Sequence, residues 1–316
     1  MYTYRQILTQ IFRIIRQNPS LWIFGLFAAL LGNNNGLEIM VGSFGFSGQG
    51  IFSSFINGLI DGGLFTFGGI KGIAKIMVSN PLLLFILAII SLCLIALTVL
   101  VIWITLVSLA ALIVKAVSFS KSKTLSARQA FGAGMAKFWP VLGLNFFIRV
   151  VCWLIVLAIV ALAGLPRFPG LIYLFILGFD VLLAATIIFS LVTNYAICAA
   201  VLRNLGLKAS LEFALGLFRQ NWLVSLEVAV FLFFINLIVN SLLWFFLSWA
   251  LLHTLSLFGD FPLAYLVIIV LLFILFIAVQ IALTIIYWCF WALIFEILSG
   301  KKSAVKSWLL TVFRSR

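Results

Sequence analysis

Residues 81–114 read PLLLFILAIISLCLIALTVLVIWITLVSLAALIV and contain no charged side chain. Coiled as an α-helix, the stretch is about 50 Å long, whereas about 20 apolar residues already cross about 30 Å of hydrocarbon. The solvent for such a run is lipid. Four more runs repeat the pattern. Pro262 to Phe295 also lacks charge, Val141 to Ala163 is interrupted only by Arg149, Leu171 to Leu202 only by Asp180, and Trp222 to Leu252 only by Glu227. A sixth candidate, Pro19 to Gly32, is about 20 Å as a helix, so it thins the bilayer locally or continues from the helix before it. Asn18-Pro19 marks its start, with Asn as cap and Pro at the first helical position. Asn80-Pro81 repeats that signal, and Asp260 followed by Pro262 is a looser version. The expected fold class is all-α, a polytopic helical membrane protein with about six transmembrane helices.

Composition sets the same bound. Of the 316 residues, 66% are hydrophobic and 9% charged, against about 45–50% and about 25% in soluble domains. No stretch combines ordinary charge density with enough length for a soluble core of its own. Residues 1–316 therefore read as a single membrane domain. The four cysteines, Cys93, Cys152, Cys198 and Cys289, lie inside apolar runs without a CxxC pair, and the one histidine is His253. Buried thiols acting as small hydrophobes fit better than a metal site or a disulfide scaffold, and no cofactor is expected.

The 20 Lys and Arg outnumber the 7 Asp and Glu. In a soluble chain this would point to nucleic acid, but no recognition module or dense basic run accompanies the charge, so no nucleic acid partner is expected. The basic residues instead fall between the spans. Arg5, Arg13 and Arg16 precede the first span; Lys115, Lys121, Lys123, Arg128 and Lys137 lie between the second and third; Arg203, Lys208 and Arg219 lie between the fourth and fifth. Lys301, Lys302, Lys306, Arg314 and Arg316 follow the sixth, and the opposite side holds Lys71, Lys75 and Arg167. Sixteen against three places both termini in the cytoplasm, with the multi-pass chain in the inner membrane. Membrane lipids, anionic headgroups included, are the expected partners of Arg5, Arg13, Arg16, Lys121, Lys123, Arg128, Lys208, Arg219, Lys301, Lys302 and Lys306, and a partner membrane protein is a further possibility.

Short motifs recur along the chain. Ile15-Arg16-Gln17-Asn18 returns as Phe218-Arg219-Gln220-Asn221, and Phe313-Arg314-Ser315 is a truncated third copy. Each closes a stretch of helical periodicity: Tyr4, Ile7, Leu8, Ile11, Ile14 and Ile15 in the first; Leu211, Ala214, Leu215 and Phe218 in another; Val305, Trp308, Leu309 and Val312 at the C-terminus. Phe131, Met135 and Phe138 make a thinner stripe, weakened by Gly132 and Gly134. Such helices are expected along the cytoplasmic surface, apolar side down, although each could also be a polar extension of the following span. They also suit as cover for the apolar turns by which the two longest spans outrun the bilayer. The chain thus reads as three pseudo-repeated hairpins, about 3–114, 124–202 and 208–298, followed by an amphipathic helix over 302–316. Mitochondrial carriers share the three-hairpin plan, but their repeated Pro-x-acidic-x-x-basic signature is missing here. Residues 32–80 are rich in glycine and read as an extracytoplasmic loop without the context of a phosphate cradle. A basic, apolar, small-residue order over 1–32 also admits a signal peptide, against which the repeat argues.

An ionisable residue at the bilayer centre costs about 2.5–3.5 kcal/mol on insertion scales. Arg149 and Asp180, each about ten residues into adjacent spans, are expected to pair at mid-depth, with Asn145 on the same face as Arg149. Asn194, Asn236, Asn240 and Gln280 fall at helical spacing with Thr186, Ser190 and Thr284. They serve either as interhelical hydrogen bonds or as the lining of a polar cavity. His253 near Asp260 has no nucleophile motif beside it, and GxSG-like, HExxH and paired-Asp signatures are absent, so no enzyme activity is expected.

The stretch RQNPSLWIFGLF, Arg16 to Phe27, resembles the opening of a broad group of uncharacterised bacterial membrane proteins. These carry the label glycerophosphoryl diester phosphodiesterase membrane domain, or YciC-like. The likeness extends loosely over the chain through its hairpins, while the soluble phosphodiesterase domain behind the label has no counterpart. The resemblance implies a bacterial cytoplasmic membrane location and no activity. Together these features point to a non-enzymatic lipid- or partner-binding membrane protein, the alternative being a small-solute transporter or channel around Arg149 and Asp180.

Overall fold

The computed structural model describes residues 4–30, 81–121, 125–162, 172–258 and 262–300. Among them every regular element is a helix: α1 (Tyr4–Gln17), α2 (Ser20–Ala29), α3 (Pro81–Ser120), α4 (Ala127–Ala136), α5 (Phe138–Leu162), α6 (Ile172–Arg203), α7 (Leu207–Gln220), α8 (Trp222–Phe258) and α9 (Pro262–Gly300). The chain divides into two compact units, Met1–Gly36 with Ile104–Arg316, and Leu37–Trp103. Packing is described below for the first. The glycine-rich loop at 32–80 and the C-terminal helix expected over 302–316 lie outside the described residues.

Five helices, α3, α5, α6, α8 and α9, are long and apolar enough to cross a membrane. This makes the chain a multi-pass membrane protein. Helix α2 is apolar but has 10 residues, about 15 Å, half the thickness of the hydrocarbon. The prolines among the described residues all sit where a helix begins. Pro81 and Pro262 open α3 and α9, Pro140 lies in the first turn of α5, and Pro19 is the N-cap of α2. There the missing N–H has no helical partner to lose.

The short helices are distinct from the spans that follow them. Helix α1 ends at Asn18, whose Nδ2 donates back to the Ile14 carbonyl (3.2 Å). Helix α7 ends at Asn221, whose Nδ2 donates to the Leu217 carbonyl (3.1 Å). Asn18 is thus the closing group of α1 and not the side-chain cap of α2, contrary to expectation. The N-cap position of α2 falls on Pro19, which has no side-chain acceptor to offer, while the Asn18 amide N–H serves the end of α1. Lys137 makes the α4–α5 break through its backbone alone, at φ −107° and ψ 8°. Helix α4 opens with a capping box between Ser126 and Gln129. Helix α6 ends before Asn204, in the left-handed conformation (φ 58°) that Asn tolerates.

Helix α9 is the hub, packing against α1, α2, α6 and α8. Its segment from Tyr287 to Phe295 is buried, including Trp288, Phe290 and Trp291. Tyr195 of α6 stands edge-on to Trp291 (5.2 Å between ring centres), Phe231 of α8 lies 5.7 Å from Phe290, and Phe213 of α7 lies 6.0 Å from Phe295. Helix α1 buries Ile7, Ile11 and Ile14 and exposes Arg13 and Arg16. Its apolar face is therefore covered by protein, with α9 as a neighbour: of the two placements expected, it takes that of a cover for the longest spans and is not laid on lipid. Ala214 and Leu217 of α7 and Ala130 of α4 are buried in the same core.

Two glycines allow close approach. A Cβ on Gly25 would lie 2.5 Å from Cγ1 of Ile285, and a Cβ on Gly134 would lie 2.5 Å from the Val107 carbonyl oxygen. Small residues at such crossings let helices gain van der Waals contact, which holds helices together where lipid is as apolar as leucine. Gly134 weakens the apolar stripe of α4 only in one dimension; it is also the point at which α4 meets the α3 backbone.

Candidate functional site

Polar groups gather in two places. The first is the shared end of α3, α6 and α9, where helix α1 also docks. Gln10 of α1 donates to Ser120 of α3 (3.1 Å), Lys121 pairs with Glu296 of α9 (2.7 Å), and Arg203 of α6 donates to the Ser299 carbonyl (3.0 Å). The Arg203 guanidinium also lies 4.4 Å from the Phe213 ring centre, a cation–π contact. Three spans and α1 are thereby cross-linked at one end. From it Arg13, Arg16, Arg128, Lys208 and Arg219 present exposed side chains. Lys208 has Glu212 at 4.0 Å one turn on, both well exposed. Arg5 belongs to α1, while Lys123, Lys301, Lys302 and Lys306 lie outside the described residues.

The second place is the contact zone of α6, α8 and α9, half-buried at Asn236, Asn240 and Gln280 and buried at Asn194, Tyr195 and Ser225. Gln280 Nε2 donates to Asn240 Oδ1 (2.6 Å), and Asn240 Nδ2 donates to Asn236 Oδ1 (2.7 Å) and to its carbonyl (2.9 Å). This chain joins α9 to α8. Asn194 Nδ2 donates to the Tyr287 hydroxyl (2.7 Å), joining α6 to α9. Tyr195 and Ser225 share a hydrogen bond of 2.9 Å, and since Ser225 already donates to the Asn221 carbonyl (2.8 Å), Tyr195 is the donor. Thr186, Thr193 and Thr284 turn their hydroxyls back to carbonyls one turn earlier on their own helices, and Asn145 does the same with its amide at Val141 (2.9 Å). Three buried atoms, Asn194 Oδ1 and the indole nitrogens of Trp288 and Trp291, have no hydrogen-bond partner among the described residues.

Arg149 and Asp180 do not form the expected pair. Helices α5 and α6 are neighbours, yet both side chains are exposed and no ion pair joins them among the described residues. The heights differ. A Cβ on Gly143 would meet the Leu207 side chain, so the start of α5 lies beside the α6–α7 turn. Arg149 follows about 9 Å along α5, while Asp180 is about 35 Å back along α6 from Arg203. Counting residues inward from opposite ends of two apolar runs had put both at mid-depth, because the runs do not show how far the first turns of α6 extend past the far end of the shorter α5.

Lys115, Tyr195, Ser225, Tyr287 and Arg203 were not singled out as site residues by sequence. Lys115 reads as an inter-span residue, but α3 continues past it and buries it to 6% exposure. His253 lies exposed, its Nδ1 3.0 Å from the Trp249 carbonyl and its ring stacked on Trp249. The cysteines are free, Cys93 exposed and the others buried. No group of His, Cys, Asp or Glu able to hold a metal ion occurs among the described residues. Comparison with protein-family models, with curated proteins and with solved structures finds no match.

Proposed function

We propose that this chain is a non-enzymatic integral protein of a bacterial cytoplasmic membrane, an accessory subunit that binds anionic lipid or a partner membrane protein through its basic end. The six-span plan of three pseudo-repeated hairpins with both termini cytoplasmic, and the YciC-like resemblance, belong to the same reading. The observation that carries it is the division of labour on the short helices. Their apolar residues (Ile7, Ile11, Ile14, Ala130, Ala214, Leu217) are spent on the core, which leaves Arg13, Arg16, Arg128, Lys208 and Arg219 exposed where headgroups would meet them. A basic residue near an anionic surface contributes about 1 kcal/mol, so several on a rigid end add up to a preference.

A solute pathway through Arg149 and Asp180 is the weaker reading. Those residues sit apart, and Asn236, Asn240 and Gln280 are spent on one another. Interhelical bonds of that kind typically contribute under about 2 kcal/mol each and tie helices together.

The test is lipid composition around the purified protein. In nanodiscs of mixed phosphatidylcholine and phosphatidylglycerol, the wild type should enrich the anionic lipid. The variant with Arg13, Arg16, Lys208 and Arg219 all changed to Gln should enrich it severalfold less. A wild-type annulus identical to the bulk, with no protein partner co-purifying, would count against the proposal.

A further inference from the structure

Among the described residues, Lys115 is the one charged side chain that is buried. Its ammonium meets the hydroxyl of Ser20, the first residue of α2. Buried charges are ordinarily paired with an opposite charge, and no described carboxylate is left for this one. Glu296 is engaged by Lys121 at 2.7 Å, Glu212 lies beside Lys208 on an exposed face, and Glu227 and Asp180 point outward from α8 and α6. An ammonium has three donors, and Ser20 takes one. The Ser20 oxygen accepts from Lys115, so its own hydrogen is available to another acceptor. Because Ser20 opens α2, the positive end of that helix dipole adds to the demand for negative charge at the same point. Trp22, Ile23 and Leu26 are exposed on α2 just beyond, an apolar surface on the helix whose first residue meets the buried ammonium.

We propose that Lys115 and Ser20 form a binding site for a phosphate group at the α1–α2 joint. The phosphate is that of an anionic phospholipid or free inorganic phosphate. The exposed apolar side chains of α2 favour the phospholipid, whose acyl chains they would contact. The proposal deepens the lipid-binding reading, and rests on it only for the phospholipid source.

The experiment is native mass spectrometry of the full chain in a neutral detergent, titrated with phosphatidylglycerol or phosphatidylcholine. A parallel arm measures thermal stabilisation by inorganic phosphate against chloride at equal ionic strength. Wild type and K115R should each hold one phosphatidylglycerol tightly, K115Q at least tenfold more weakly, and S20A a few-fold more weakly. Stabilisation by inorganic phosphate, lost in K115Q, with no tight lipid, would keep the site and assign it to the free ion. Unchanged binding of both probes in a folded K115Q would overturn the proposal. Should K115Q fail to fold, S20A decides, and undiminished binding there is equally fatal. The four-residue Gln variant of the exposed arginines and lysines should keep this one tight lipid while losing the broad preference, so the two readings can fail separately.

Discussion

Helix α9 behaves as two helices joined end to end. From Ile281 to Phe295 it is enclosed by α1, α2, α6 and α8, with Trp288 and Phe290 fully buried. From Leu263 to Leu275 it is largely exposed, with Leu263 at 81% and Phe273 at 61%. Helix α6 repeats the contrast: Leu191 to Val201 is buried, while Tyr173, Ile176, Leu177 and Val181 face outward. The packed half of α9 is no more apolar than the exposed half, so hydrophobicity does not decide which one packs. In lipid it could not, because a leucine gains little by exchanging an acyl chain for another leucine. The packed half instead holds the large rings, the small residues that let backbones close, and the paired polar groups; the other half is nearly uniform Leu, Ile, Val and Phe.

The largest expected effect tests that contrast directly. Trp291→Ala removes a buried ring from the packed half and should destabilise the protein by about 3 kcal/mol through the cavity it leaves. Phe273→Ala, on the exposed half, should change stability by less than about 0.5 kcal/mol. Reversible unfolding in mixed micelles measures both, and equal losses would erase the distinction. Next in size is Gly134→Ala, which sets a methyl against the Val107 carbonyl and should cost about 1–3 kcal/mol by overpacking. Gly132→Ala meets open space and should stabilise α4 by about 0.5–1 kcal/mol. Smaller again is Asn240→Leu, which breaks the link between α8 and α9. A double-mutant cycle with Gln280→Leu should give a coupling of about 1 kcal/mol; zero coupling would mean that the two amides do not bond in the membrane. The smallest belongs to Lys121→Gln. Its pair with Glu296 is half-exposed, so the loss should stay below about 1 kcal/mol and shrink with added salt.

Much of this architecture was legible in the residues. The long uncharged runs name α3, α5, α6, α8 and α9, and the breaks at Asn18, Lys137 and Asn221 fall where the short periodic stretches end. Periodicity picked Ile7, Ile11 and Ile14 as one face of α1, and the excess length of the two longest spans offered it a protein partner beside the lipid one; the packing decides for protein. Asn18-Pro19 looks like a helix start, and Pro19 does precede α2; that the Asn18 amide closes α1 through the Ile14 carbonyl is invisible until α1 exists. The polar spacing of Asn236, Asn240 and Gln280 drew attention to the right side chains, whereas Arg149 with Asp180 required the relative heights of two helices, which residue counting does not supply. Lys115 was hidden for the opposite reason. It follows the apolar run and so reads as the start of a loop, but α3 continues to Ser120 and brings it under α2.

The division between a protein-packed end and a lipid-solvated end is tested most directly by carbene footprinting from a diazirine placed on the acyl chain of a phospholipid. Carbene inserts into whatever C–H bond it meets, so labelling reports lipid contact irrespective of side-chain reactivity. In proteoliposomes, α9 should be labelled along 263–275 and spared from Leu283 to Phe295. Labelling of Trp288 and Trp291 as heavy as that of Leu271 and Phe273 would contradict the division and every inference drawn from it.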